Sequence, residues 1–142
     1  MSINWEGNSL MARTRRAQIS AIDTTMSAAT LHARKNHSPG AHELSRFVSG
    51  GHDRPATRAN SSGSLEGSIG IDKPGHRVAG GAAGRWGSKD IVYALRIELG
   101  FQGKDSLGRI IDQNPFPFLK PAADAEYPKL AKRIKTALRV AT

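Results

Sequence analysis

Residues 8–37 contain neither glycine nor proline, and Ile19, Ile22, Met26, Ala29 and Ala33 recur at spacings of three and four. This pattern predicts one long helix with a narrow, alanine-rich apolar stripe, opened by Asn8 or Ser9 as N-cap. Arg13, Arg15 and Arg16 fall in its first turns, where the helix dipole disfavours cations. Residues 65–71 alternate, with Leu65, Gly67, Ile69 and Ile71 on one face, as expected of a strand. Pro74-Gly75 predicts a turn, Val78 a weak returning strand, and residues 80–87 a flexible glycine-rich linker. The strongest strand pattern lies at residues 91–99, where Ile91, Tyr93, Leu95, Ile97 and Leu99 share a face.

Beyond it, Pro115-Phe116-Pro117-Phe118-Leu119-Lys120-Pro121 predicts extended backbone before a last helix at about 122–140. Leu130, Ile134 and Leu138 line one side of that helix, and Lys129, Lys132, Arg133, Lys135 and Arg139 the other. Pro128 kinks or restarts it. In the extended run Phe116 and Phe118 point the same way, towards the strand face bearing Tyr93, Leu95 and Ile97. The alternative is an exposed docking strip. Residues 38–62, with one short helical turn at 41–47, and residues 100–114 are expected to be extended loops or arms. The resulting fold class is α+β: a small antiparallel β-sheet covered by a long N-terminal helix and a C-terminal helix, in a single domain over 1–142.

Composition sharpens this picture. The chain has 142 residues, 38% hydrophobic and 6% aromatic, with fifteen glycines and seven prolines. That is one domain with a modest core, too short for a multidomain enzyme and a candidate for support from neighbouring subunits. A net charge of +9 suits a polyanion or an acidic partner surface. The absence of cysteine removes disulfides, thiolate nucleophiles and cysteine-based zinc sites, and fits a reducing compartment. No export signal or membrane span is expected.

Candidate chemistry is sparse. The cluster Gly80-Gly81-Ala82-Ala83-Gly84-Arg85-Trp86-Gly87-Ser88-Lys89 lacks the Gly-Lys-Ser/Thr order that a phosphate loop requires. Of the histidines at 32, 37, 42, 52 and 76, His42 and His52 lie in the first arm and the others are spread along the chain, with no set of fixed elements that would converge them on a metal. No serine sits in a nucleophile elbow, and no carboxylate pair is spaced for acid–base work. The chain is therefore expected to be no enzyme, with no catalytic, cofactor-binding or metal-binding residues.

Three stretches, taken in order, resemble one family. Ser62-Gly63-Ser64-Leu65-Glu66-Gly67-Ser68-Ile69 is similar to a Thr-Gly-x-Leu-x-x-Ser-Ile signature. Tyr93-Ala94-Leu95-Arg96-Ile97-Glu98-Leu99-Gly100 is similar to Tyr-Ala-x-x-x-Glu-x-Gly, and Pro115 to Ala122 to Pro-x-Pro-Phe-Leu-Arg-Pro-Ala. These belong to the tail-component proteins of long-tailed bacteriophages, which act in tail completion and head–tail joining. The matching positions are Gly63, Leu65, Ser68, Ile69, Tyr93, Ala94, Glu98, Gly100, Pro117, Phe118, Leu119, Pro121 and Ala122. Ser62 replaces the usual threonine, and the arm at 38–60 is longer than the family's link.

The resemblance implies a non-enzymatic structural subunit of the phage neck, in a tail-completion or tail-terminator role. It would form a homo-oligomeric ring, a hexamer, between head-side connector proteins and the tail tube protein. DNA would pass through its channel without sequence-specific binding. Its place would be the virion, and the host cytoplasm during assembly. The alternative, from charge alone, is a small basic nucleic-acid-binding protein.

Overall fold

The computed structural model describes residues 6–37, 47–49, 52–54, 64–91, 94–104 and 106–140. The fold is α+β. Helix α1 spans Gly7–His37, one residue longer at its start than the pattern predicted, and Ser9 Oγ donates to the Glu6 carbonyl at 2.8 Å. Its inward side is wider than the predicted stripe: Ala17, Ala21, Thr25, Met26, Ala29, Thr30 and Ala33 are buried, with Ile19 and Ile22 half-buried beside them. Two layers use that width. A two-stranded antiparallel hairpin, β3 (Ile69–Val78) with β4 (Gly81–Ser88), packs on one side, and the C-terminal helices pack on another.

The hairpin explains why residues 80–87 form a strand and not the expected linker. Gly84 lies so close to α1 that a Cβ there would come within 2.5 Å of Met26 Cε and 2.9 Å of Ile22 Cγ2. Small residues in β4 are the means by which strand and helix touch. Pro74-Gly75 is likewise no turn but part of an irregularity within β3, where the register shifts between Lys73 and His76. A Cβ on Gly75 would meet the Ile19 carbonyl at 2.9 Å, and its N–H donates to Asp23 Oδ1 at 2.6 Å, pinning the strand to α1.

Two predicted strands are helical. Residues 65–68 belong to a short helix α2 (Ser64–Ser68), with β3 starting only at Ile69. Residues 94–99 form helix α3 (Ala94–Leu99), with Ala94 and Ile97 turned inward and Leu95 and Leu99 outward. Residues four apart share a face in both a strand and a helix. The pairs Leu65/Ile69 and Leu95/Leu99 therefore fitted either period. Val92 and Tyr93 lie outside the described residues.

Both expected arms contribute strands. Within 38–62, β1 (Phe47–Ser49) pairs with β2 (His52–Arg54); the helical turn expected at 41–47 falls outside the described residues except at Phe47, which is in β1. Within 100–114, β5 (Phe101–Lys104) pairs with β6 (Ile110–Gln113). β1 also pairs with β6, giving an antiparallel sheet of order β2-β1-β6-β5 whose strands contact chiefly one another.

The C-terminal helix begins earlier than expected, as α4 (Leu119–Glu126), and breaks at Pro128 as predicted. A 3-10 turn over Tyr127–Lys129 leads to α5 (Leu130–Val140). Both helices lie against α1 and not across the hairpin. Polar contacts fasten this seam. Arg13 donates to the Leu138 carbonyl at 2.9 Å, where a cation meets the electronegative end of α5. Arg133 donates to Glu126 Oε2 at 2.6 Å and to Thr25 Oγ1 at 3.1 Å, and Lys129 donates to Glu126 Oε1 at 2.7 Å.

The two largest fully buried side chains are Phe118 and Ile69, in a cluster with Ala33, Leu65, Ala94 and Ala122. Phe116 is only half-buried. The expectation of an anchoring phenylalanine therefore holds for Phe118. The surface it meets is the wall formed by α1, α2 and the start of β3, together with Ala94, whereas Leu95 is 67% exposed. We expect Phe118→Ala to lower stability by about 3–5 kcal/mol through loss of burial and a residual cavity, read as a fall in Tm. The hydrogen bonds from Lys129 and Arg133 hold the Glu126 carboxyl below its ordinary pKa. Its contribution is therefore complete above the unfolded-state value and lost as pH falls through the lower folded value. Across an acid titration, Glu126→Gln should be less stable than the parent near neutrality and converge with it in acid.

Candidate functional site

The three motif stretches meet at one place. Leu65 and Ile69 from the first, Ala94 from the second, and Phe118 and Ala122 from the third are all in the same buried cluster, with Ala33 of α1. Half-buried Trp86, Ile91, Ile97 and Leu119 close around it.

Glu98 is the polar centre of this joint. A helix begins with four backbone N–H groups that have no partner inside the helix. At the start of α4 those groups belong to residues 118–121. Phe118 cannot cap with its own side chain. Glu98 does so from α3: its Oε2 accepts from the Phe118 and Leu119 N–H groups at 2.8 and 3.0 Å, and its Oε1 accepts from Lys120 at 2.8 Å. The fourth position is Pro121, which has no N–H to satisfy. The carboxylate also complements the positive end of the helix dipole. A further strut, the Phe116 N–H to the Ile97 carbonyl at 2.7 Å, holds the two segments side by side.

Gly100 makes that approach possible. Its φ is +77°, and a Cβ would lie 2.7 Å from the Gln113 carbonyl oxygen and 2.8 Å from Pro115 N. Ser68 secures the other side: its hydroxyl is 2.7 Å from the Leu65 carbonyl and 2.6 Å from Ser88 Oγ, tying α2 to the end of β4. Pro117 is exposed and stiffens the approach to Phe118. Gly63 and Tyr93 lie outside the described residues.

The sequence pattern did not single out the partners around this joint. Arg34 donates through Nε and Nη2 to the Ile69 carbonyl at 2.9 and 2.6 Å. Asn36 Nδ2 donates to the Phe118 carbonyl at 3.3 Å, and the His37 ring lies 5.3 Å from that of Phe118. Trp86 Nε1 donates to Tyr127 Oη at 3.0 Å. Each is a side chain reaching a distant segment, for which linear spacing carries no signal. Glu126 had one, as an acid followed at three and seven residues by Lys129 and Arg133.

Chemically, the joint is closed. The half-buried Glu98 carboxylate is taken up by three backbone N–H groups. Among the described residues no group of three or more His, Asp or Glu is placed to hold a metal. No helix there is long and apolar enough to cross a membrane. Two surface grooves open to solvent run along α1, one at its first turns lined by Glu6, Leu10 and Arg13 and one near its middle lined by Ile19, Ser20 and Asp23.

No family model matches this chain, and no curated protein or solved structure is significantly similar to it.

Removing the Glu98 carboxylate would strand three N–H groups at a partly buried helix start. We expect Glu98→Ala to cost about 2–3 kcal/mol in denaturant unfolding. Glu98→Gln, which keeps an acceptor but not the charge, should fall between it and the parent.

Proposed function

We propose that this chain is a structural subunit of the tailed-phage neck, serving in tail completion as a ring that joins head to tail. The observation that carries the reading is the meeting of the three motif stretches in one joint. The residues on which the resemblance rests have linked physical tasks: Glu98 caps the helix that Phe118 opens, Gly100 permits the approach, and Leu65, Ile69, Ala94 and Ala122 enclose the phenylalanine. Apolar residues of a small domain meet in one core in any case, so the support comes from the motif's glutamate and glycine, Glu98 and Gly100, which serve the same joint.

The outer surface supports the assembly part of the proposal. Among the described residues, the sheet β2-β1-β6-β5 has strands of three or four residues and no helix packed broadly against it. Small sheets of this kind gain stability from a covering layer. Leu95 and Leu99 on α3, and Leu107 and Ile110 on the β5–β6 hairpin, are 66–74% exposed. Neighbouring subunits in a homo-oligomeric ring, a hexamer, would cover such surfaces, with head-side connector and tail tube proteins above and below. DNA would pass through the channel.

The second reading, a small basic nucleic-acid-binding protein, is favoured by the charge of +9. Native mass measurement across a salt series separates the two. A ring held by packed apolar side chains should persist at high ionic strength, whereas an assembly organised by phosphate contacts should dissociate. A chain that remains monomeric at every concentration and salt would overturn the neck proposal.

A further inference from the structure

We propose that the outward face of α5 is a phosphate-contacting strip that binds duplex DNA without regard to sequence. The inference goes beyond the neck reading and does not need the ring; charge placement on a single subunit carries it.

On α5, Ile134 and Leu138 face α1 and are half-buried, whereas Lys132, Lys135 and Arg139 are exposed along the opposite side. The helix contains no Asp or Glu. Its two remaining neighbouring cations, Lys129 and Arg133, are matched by Glu126. Neither Lys132 nor Lys135 makes an ion pair among the described residues. The line continues past the helix end: Arg13 reaches the Leu138 carbonyl, which places the first turns of α1, with exposed Arg16 one turn on from Arg13, beside the end of α5 that bears Arg139. Glu6 is the carboxylate at the start of α1, and Asp23, further along, is engaged by the Gly75 N–H.

Two features distinguish this face from an ordinary solvated one. Lys132 with Lys135 and Lys135 with Arg139 are like charges at spacings of three and four, which oppose helix formation. Elsewhere the chain uses the favourable arrangement, with Lys120 and Asp124 paired across one turn of α4 at 2.6 Å. A like-charged line costs the isolated subunit stability, and a polyanion laid along it relieves that cost.

The second feature selects among polyanions. Between the cations the face offers Ala131 and Thr136 and no aromatic residue. Protein interfaces are depleted in lysine and built around aromatic and apolar anchors. Lysine and arginine on a regular line, spanning about 10 Å from residue 132 to 139 at the helical rise, suit a row of phosphates. The face carries no Asn, Gln, Asp or Glu to pair with base edges and no aromatic stacking platform, so its cations are assigned to the phosphate backbone and the contact ignores sequence.

The test measures binding of the full chain to a short fluorescent duplex of mixed sequence, in a salt series, for the parent and the triple variant K132Q/K135Q/R139Q. Between about 50 and 200 mM salt, three phosphate contacts account for roughly a forty-fold loss of affinity, a slope contribution of about 2.7. The variant should lose that part of the slope and bind more weakly at low salt, with a Tm equal to or above the parent's because the repulsion along the helix is relieved. A second duplex of unrelated sequence should bind equally well. An unaltered slope in the variant, absence of binding by the parent at low salt, or polyglutamate competing as effectively as DNA would each overturn the proposal. Native mass spectrometry of the same variant reports the neck reading separately, since exposed charges on α5 are not part of the packed surfaces assigned to the ring.

Discussion

The capping of α4 by Glu98 is the contact on which the rest of the structure depends. A helix start facing a core presents backbone donors that must be satisfied or kept in water. Here a carboxylate twenty residues upstream satisfies those of Phe118, Leu119 and Lys120, and Pro121 removes the remaining donor. Once the start is satisfied it can be buried. That places Phe118 in the interior, and Ala122 one turn later falls on the same cluster. The position of α4, and through the break at Pro128 that of α5, follows from this cap.

Helix α1 is the wall shared by the two layers, and its composition shows how a chain with few aromatics closes a core. Most residues buried on its inner side are alanine or threonine, and glycine lets the hairpin approach it closely, Gly75 against the Ile19 carbonyl and Gly84 against Met26 and Ile22. Close approach replaces side-chain bulk with many short dispersion contacts. Such packing is sensitive to added volume, as the positions of Gly75 and Gly84 demonstrate. It is supplemented by long-range polar ties, Arg13 and Arg133 joining α1 to α5, and Asp23 and Arg34 joining it to β3.

This division of labour leaves distinct surfaces facing outward. The motif residues are taken up in building the joint, so the proposed means of interaction lie elsewhere: the exposed apolar residues of the β5–β6 hairpin, and a cationic helix face. For the proposed neck subunit, the first would meet neighbours and the second would meet DNA. A protein whose signature residues hold its scaffold, while its working surfaces lie in less constrained segments, can keep one architecture and change its contacts.

The helix over residues 8–37, the break at Pro128 and the burial of Phe118 were legible in the sequence, because helix periodicity, the missing proline donor and aromatic burial are local or nearly context-free properties. The motif stretches were legible as residues but not as a joint. What Glu98 does depends on where residue 118 lies, and no linear pattern encodes that distance. Leu65 with Ile69 and Leu95 with Leu99 were ambiguous because a spacing of four satisfies both the strand and the helix period. Tertiary contacts decided for helix at α2, where Ser68 meets Ser88 at the end of β4 and Leu65 enters the core, and at α3, where Ala94, Ile97 and Glu98 had to face the same side. Glycine at 80–87 reads locally as freedom, and only the presence of α1 against it makes it a packed strand. Local chemistry sets what a segment can become, and the neighbour it packs against selects the outcome whenever two conformations present the same residues to the core.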